Sequence, residues 1–143
     1  MKISELPWAP QWLKDANVKH EDVEVKDGNV IWKTGIWLSG TWEDGTWESG
    51  IWKDGDWLDG TWKDGAWFDG VWWDGTWETG SWSNGIWKGG DWKTGTWWDG
   101  TWEAGIWYRG VWLNGIWKRG YWMDGIWEDG VWETGYIQST NHP

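Results

Sequence analysis

Residues 41–60 read TWEDG TWESG IWKDG DWLDG, which is one five-residue unit, x-W-x-x-G, written four times. The unit runs from residue 31 to residue 135 without a register slip, giving 21 copies. Trp falls at 32, 37, 42 and onward to 132, and Gly at 35, 40, 45 and onward to 135. A fixed short period outranks other sequence signals, because each copy can bury its apolar side only by packing on its neighbours. The residue before Gly is Asp, Asn, Ser or Thr in 17 of the 21 copies, as in Asp54-Gly55, Thr79-Gly80 and Asn84-Gly85. Such dipeptides make turns, with Gly accepting positive φ. The residue before Trp is mostly Ile, Val or Thr, which favour extended backbone.

In an extended chain alternate residues share a face. Within G-x-W-x, Gly and Trp therefore point one way and their neighbours the other. The neighbours after Trp are mainly Lys and Glu, so that side is solvent and the indoles face inward. The residues that define this interior include Trp32, Trp52, Trp72, Trp92, Trp112 and Trp132, with Gly35, Gly55, Gly75 and Gly95 leaving room beside the rings. A straight strand cannot hold the pattern, because five is odd and successive Trp would change face. A helix cannot either, since Gly every fifth residue is costly and five does not match 3.6. The pattern predicts a coil of short strands with a corner every five residues. Buried indole N–H groups need acceptors, for which backbone carbonyls and turn-position Asp and Thr are the candidates.

The number of sides per coil follows from which outward residues repeat. Every 20 residues from 31 the position before Trp reads Ile31, Ile51, Val71, Asp91, Val111, Val131, and from 41 it reads Thr41, Thr61, Ser81, Thr101, Tyr121. A spacing of 15 mixes these classes, so the expectation is an all-β solenoid with four sides and about 20 residues per coil. The unit Gly-x-Trp-x-x resembles the pentapeptide-repeat family over residues 31–135, with Gly in the family's small slot and Trp in its large apolar slot. That resemblance implies a right-handed quadrilateral β-helix. A weaker resemblance is to MORN-type repeats, which would give a stacked β-hairpin ribbon instead. Residues 1–30 lie outside the repeat and form a capping segment. Trp8, Trp12 and Leu13 are expected over the first rung, and a hairpin through Lys26-Asp27-Gly28-Asn29 leads into the solenoid. Residues 136–143 are a closing strand and a polar tail that is expected to be mobile.

Composition narrows function. The chain has 25 Trp, 23 Gly and no Cys in 143 residues, so neither disulfides nor thiolate metal sites are available. Net charge is −11, and residues 41–80 alone hold ten acids against two bases. That balance argues against direct nucleic-acid binding. No basic start precedes an apolar run and no stretch spans a membrane. The expected setting is the cytoplasm or an intracellularly assembled particle. His20 and His142 sit outside the repeat, and no nucleophile, phosphate-loop or dinucleotide motif occurs. A non-enzymatic protein is expected, with no cofactor and no evident small-molecule substrate.

Two surfaces invite function. On the four-sided reading, Ala66, Phe68, Ile86, Ile106, Tyr108 and Ile126 share one face, and Val71, Trp73, Val111 and Leu113 the adjoining one. Contiguous exposed apolar surface marks interaction sites, so a protein partner or a homo-oligomer is expected. The second surface is the acidic region of Asp44, Asp54, Asp56, Asp59, Asp64, Asp69 and Asp74. Some pentapeptide-repeat proteins mimic DNA and block type II topoisomerases, and the resemblance extends that alternative to this chain. Corner pairs such as Asp54 with Asp74, or Asp44 with Asp64, could bind Ca²⁺, although Asp is also simply a good turn residue.

Overall fold

The computed structural model describes residues 1–138. The repeat forms an all-β parallel solenoid of about seven turns behind a short N-terminal segment. That segment holds a 3-10 turn at Ile3–Glu5, helix α1 at Gln11–Asp15, strand β1 at Asn17–Lys26 and strand β2 at Asn29–Ser39. Twenty two-residue strands follow, from β3 at Thr41–Trp42 to β20 at Ile126–Trp127, β21 at Val131–Trp132 and β22 at Tyr136–Ile137.

The coil has three sides and 15 residues per turn, which corrects the four-sided expectation. Thr46 pairs with Ile31 and Thr61, and Thr61 with Thr76, always in parallel and always one turn apart. No hairpin ribbon forms from the repeats. The first face carries Trp32, Trp47, Trp62 and so on to Trp122, with Ile137 in the last place. The second begins at Trp37 and ends at Trp127, and the third begins at Trp42 and ends at Trp132.

Indole geometry explains the triangle. Within a turn, neighbouring indoles meet edge to face, with centroids 5.8–6.0 Å apart and planes inclined by 68–77°. Between turns they stack at 4.7–5.0 Å with planes within 2–8° of parallel. Three rings arranged edge to face close around a common axis and leave no central hole, and both geometries are preferred by aromatic pairs. A fourth ring would open a gap in a core that must be close-packed. The result is complete burial: every indole at the repeat's Trp position from Trp32 to Trp122 is 0% exposed.

The backbone ladder repeats with the same economy. The N–H before each Trp donates to the Gly carbonyl one turn back, and the N–H after it donates to the Trp carbonyl one turn back. Ala66 to Gly50 at 3.0 Å and Phe68 to Trp52 at 2.8 Å are examples. Gly100 shows why the corner admits no side chain. Its φ is +122°, and a Cβ there would lie 2.5 Å from the carbonyl oxygen of Gly85.

Acceptors for the indole N–H groups are the carbonyls of turn residues one turn on. Trp52 donates to Asp69, Trp72 to Gly89 and Trp117 to Thr134, at 3.0–3.1 Å. Eleven other buried nitrogens, Trp87 among them, make no such bond. They sit at the same place in the repeat: Trp87 Nε1 and the bonded Trp112 Nε1 are each 3.2 Å from the Cβ position of the glycine 18 residues on. They therefore face the same row of carbonyls without meeting hydrogen-bond geometry.

The N-terminal end is closed on all three sides. β1 pairs antiparallel with β2, with Val25 opposite Val30 and Lys26 opposite Asn29, around an Asp27-Gly28 turn in which both φ angles are positive. β2 spans the first strands of two faces, so β1 covers both. It rounds their shared corner through an irregularity beside His20, where φ is +57°, with Glu21 lying against Gly35. Helix α1 covers the third side: Trp12 meets Trp42 edge to face at 5.1 Å, and Leu13 is fully buried. Trp8 takes no part in this cover, being 62% exposed.

Candidate interaction surfaces

A three-sided coil redistributes the outward residues. Of the expected interface set, Ala66, Phe68, Val111, Leu113 and Ile126 lie on the second face. Val71, Trp73 and Ile86 lie on the third, and Ile106 and Tyr108 on the first. The grouping of Ala66, Ile86, Ile106 and Ile126 on one face does not occur, because those residues are one and one-third turns apart.

The second face is the least charged. Its outward positions flanking the strand Trp include Leu38, Ile51, Thr96 and Trp98 besides the five above, and only Lys53 and Glu128 among them are charged. Phe68 and Trp98 stand exposed there. The Trp98 indole donates to Ser81 Oγ at 3.0 Å, which lays the ring back over the preceding rung. Outward side chains on all three faces also engage one turn apart. Lys53 Nζ lies 4.4 Å from the Phe68 ring, Lys88 Nζ 4.8 Å from Trp73 and Lys93 Nζ 4.0 Å from Tyr108. Lys88 also pairs with Glu103 at 3.6 Å.

Three corners separate the faces, and the acidic residues fall on all of them. Asp44, Asp59 and Asp74 form the corner between the third and first faces, whereas Asp64 lies between the first and second. Asp54 and Asp69 lie between the second and third, and Asp56 is on the third face itself. The stacked neighbours are thus Asp54 with Asp69, and Asp44 with Asp59, rather than the pairs expected at a spacing of 20. In each corner Asp one carboxylate oxygen accepts the N–H of the following Gly at 2.8 Å, as Asp54 does from Gly55 and Asp69 from Gly70. This is the turn role. No group of three or more potential ligands is arranged for a metal among the described residues.

The C-terminal part of the first face differs from the rest. Ile106, Tyr121 and Tyr136 lie in one column, and Arg119 forms the adjoining corner. Together they border an open groove of about 490 Å³. The Tyr121 and Tyr136 rings are 5.6 Å apart. Sequence reasoning placed Ile106 on an interaction face but did not join Tyr121, Tyr136 and Arg119 to it, because they converge only at a spacing of 15.

The N-terminal ammonium hydrogen-bonds Asp22 and holds its carboxyl below the usual range, and Glu24, 3.2 Å from Lys33, pushes the Lys33 side chain above its ordinary range. The first of these exposed pairs ties Met1 to β1 and the second ties β2 to β1. His20 is exposed on β1, and His142 lies outside the described residues. No helix among the described residues is long and apolar enough to cross a membrane.

No protein-family model and no curated protein sequence matches the chain. Among solved structures, one that it resembles is a putative acetyltransferase from Desulfovibrio desulfuricans G20, at 11% identity and a TM-score of 0.21. The match covers 71% of this chain and 31% of that one, so this chain spans about a third of that protein. A likeness this low carries no argument about activity.

Proposed function

We propose that this chain is a rigid, non-enzymatic scaffold that binds protein partners and self-associates through its outward side chains. The observation that carries the reading is the contrast between interior and exterior. The core is one uniform aromatic column, whereas the exterior varies from rung to rung and displays Phe68, Trp73, Trp98 and Tyr121, all more than 40% exposed. Exposed aromatics on a rigid support supply binding area at low entropic cost. A pentapeptide-repeat kinship would rest on the unit and its small-large alternation, since the coil has one side fewer than that family's. The DNA-mimic alternative draws less support, because the acids are spread over three corners instead of lining one side. The setting in keeping with this role is intracellular.

Light scattering across a range of protein concentrations tests the proposal. A concentration-dependent oligomer is expected. A strict monomer that also retains no partner in pull-downs would remove it.

A further inference from the structure

We infer that the first face, with its two bordering corners, is the self-association surface, and that its occupant is a second copy of this chain docked antiparallel. The inference deepens the self-association reading above and rests on it.

The first observation is where residue types fall. The chain has three Tyr, at 108, 121 and 136, and two Arg, at 109 and 119. All five lie on the C-terminal half of the first face or on its corners. Tyr and Arg are, with Trp, the side chains most enriched among the anchors of protein interfaces. Tyr121 and Tyr136 are 53% and 56% exposed, and both Arg are exposed with no ion pair among the described residues. Residues 104–123 contain no acid and three bases, in a chain of net charge −11.

The second observation is charge complementarity along the same surface. Its N-terminal half is bordered by Asp44, Asp59 and Asp74 on one corner and by Asp64 on the other. In each, one oxygen is held by the next Gly N–H at 2.8 Å, which leaves the other directed away from the turn. The N-terminal half therefore carries an excess of acids, whereas the C-terminal half carries Lys93, Arg109, Arg119 and the three Tyr against Asp91 and Asp124. A two-fold axis that reverses the rod brings unlike ends together twice, as an isologous dimer requires.

Counting rungs fixes the register. With the axis midway between the Trp77 and Trp92 rungs, Arg109 lies opposite Asp64 of the second copy and Arg119 opposite its Asp44. Lys93 then faces Glu78, and Lys63 faces the Tyr108 ring. No like charges meet across the face. Sliding one copy by a single rung sets Lys93 against Lys63 or against its own counterpart, so this register is specified. Eight rungs at ~4.8 Å, by a side of five extended residues, give roughly 600 Å² per copy. The total of roughly 1,200 Å² reaches the lower end of the range for a specific interface.

Analytical ultracentrifugation of the full chain and two double variants tests the assignment. The wild type is expected to dimerise, more weakly at high salt. Arg109→Glu with Arg119→Glu, and separately Asp44→Arg with Asp64→Arg, should each weaken dimerisation at least about tenfold by setting like charges face to face. An equimolar mixture of the two variants should regain dimers, because each new Glu then faces a new Arg. Unchanged near-ultraviolet circular dichroism shows that the exposed substitutions leave the core intact. A wild-type dimer that both variants retain, or a mixture that stays monomeric, overturns this surface while leaving self-association standing. A wild type that is monomeric at every concentration removes both.

Discussion

The two ends of the solenoid are made from the same unit and meet different fates. At the N-terminal end Trp32, Trp37 and Trp42 are 0% exposed, because β1 lies over two sides and α1 over the third. At the other end Trp127 and Trp132 are only partly buried, and the outward Ile126 and Val131 are more than half exposed. Nothing among the described residues covers the last turn. Burial in this fold is thus conferred by the adjacent turn and not by the unit itself. Stability should follow nearest-neighbour rules, strong in the middle, held at the capped end and falling toward the open one.

The largest test compares one indole from the middle with one from the open end. Trp77 stacks on Trp62 and Trp92 and meets Trp72 and Trp82 edge to face. Trp77→Ala is expected to cost about 3–5 kcal/mol, the range for a buried Trp. Trp132 has one stacked neighbour, Trp117, and one edge-to-face neighbour, Trp127. Trp132→Ala should cost roughly half as much. Urea unfolding measures both, and equal losses would show that neighbours do not govern burial energy.

A second comparison contrasts a corner glycine with the cap's turn glycine. Gly100→Ala forces an L side chain into positive φ and against the Gly85 carbonyl, which should cost about 2–5 kcal/mol. Gly28 has φ +78° but nothing within 4 Å of its Cβ position. Gly28→Ala should therefore carry only the conformational strain, about 1–2 kcal/mol. Thermal melts separate the two. A Gly28→Ala loss as large as that of Gly100→Ala would mean that carbonyl proximity adds nothing.

These glycines also show what was legible in the sequence. The alternation of Gly and Trp, the turn dipeptides and the inward rings follow from chain geometry that allows one answer, and the solenoid follows from them. The number of sides did not, because the outward positions before Trp point away from the core and tolerate any strand-favouring residue. Like beside like at Ile31, Ile51 and Val71 was therefore no evidence of stacking. The informative column lies after Trp on the first face, where Lys33, Glu48, Lys63, Glu78 and Lys93 alternate in sign every 15 residues. Opposite charges are favoured in directly paired positions and like charges are not, so that alternation reports true neighbours. The same period aligns Thr46, Thr61 and Thr76, and it places Lys53, Lys88 and Lys93 beside Phe68, Trp73 and Tyr108. The Tyr and Arg cluster was invisible for one reason: its members converge only after the chain is wound three to a turn.

The smallest effects probe the cap against the open end directly. Trp12 is partly buried and holds Trp42 in an edge-to-face pair, so Trp12→Ala should cost about 1–2 kcal/mol. It should also speed amide exchange in the first turn of the third face, because the ring that shields Trp42 is gone. Val131 is 55% exposed in the last turn, where it gains little from packing. Val131→Ala should stay within about 0.5 kcal/mol and leave exchange at the capped end unchanged. Hydrogen exchange resolves the pair even where melting does not. If Val131→Ala loosened the first turn as much as the last, the rod would unfold as one indivisible unit and the graded stability argued from its two ends would fail.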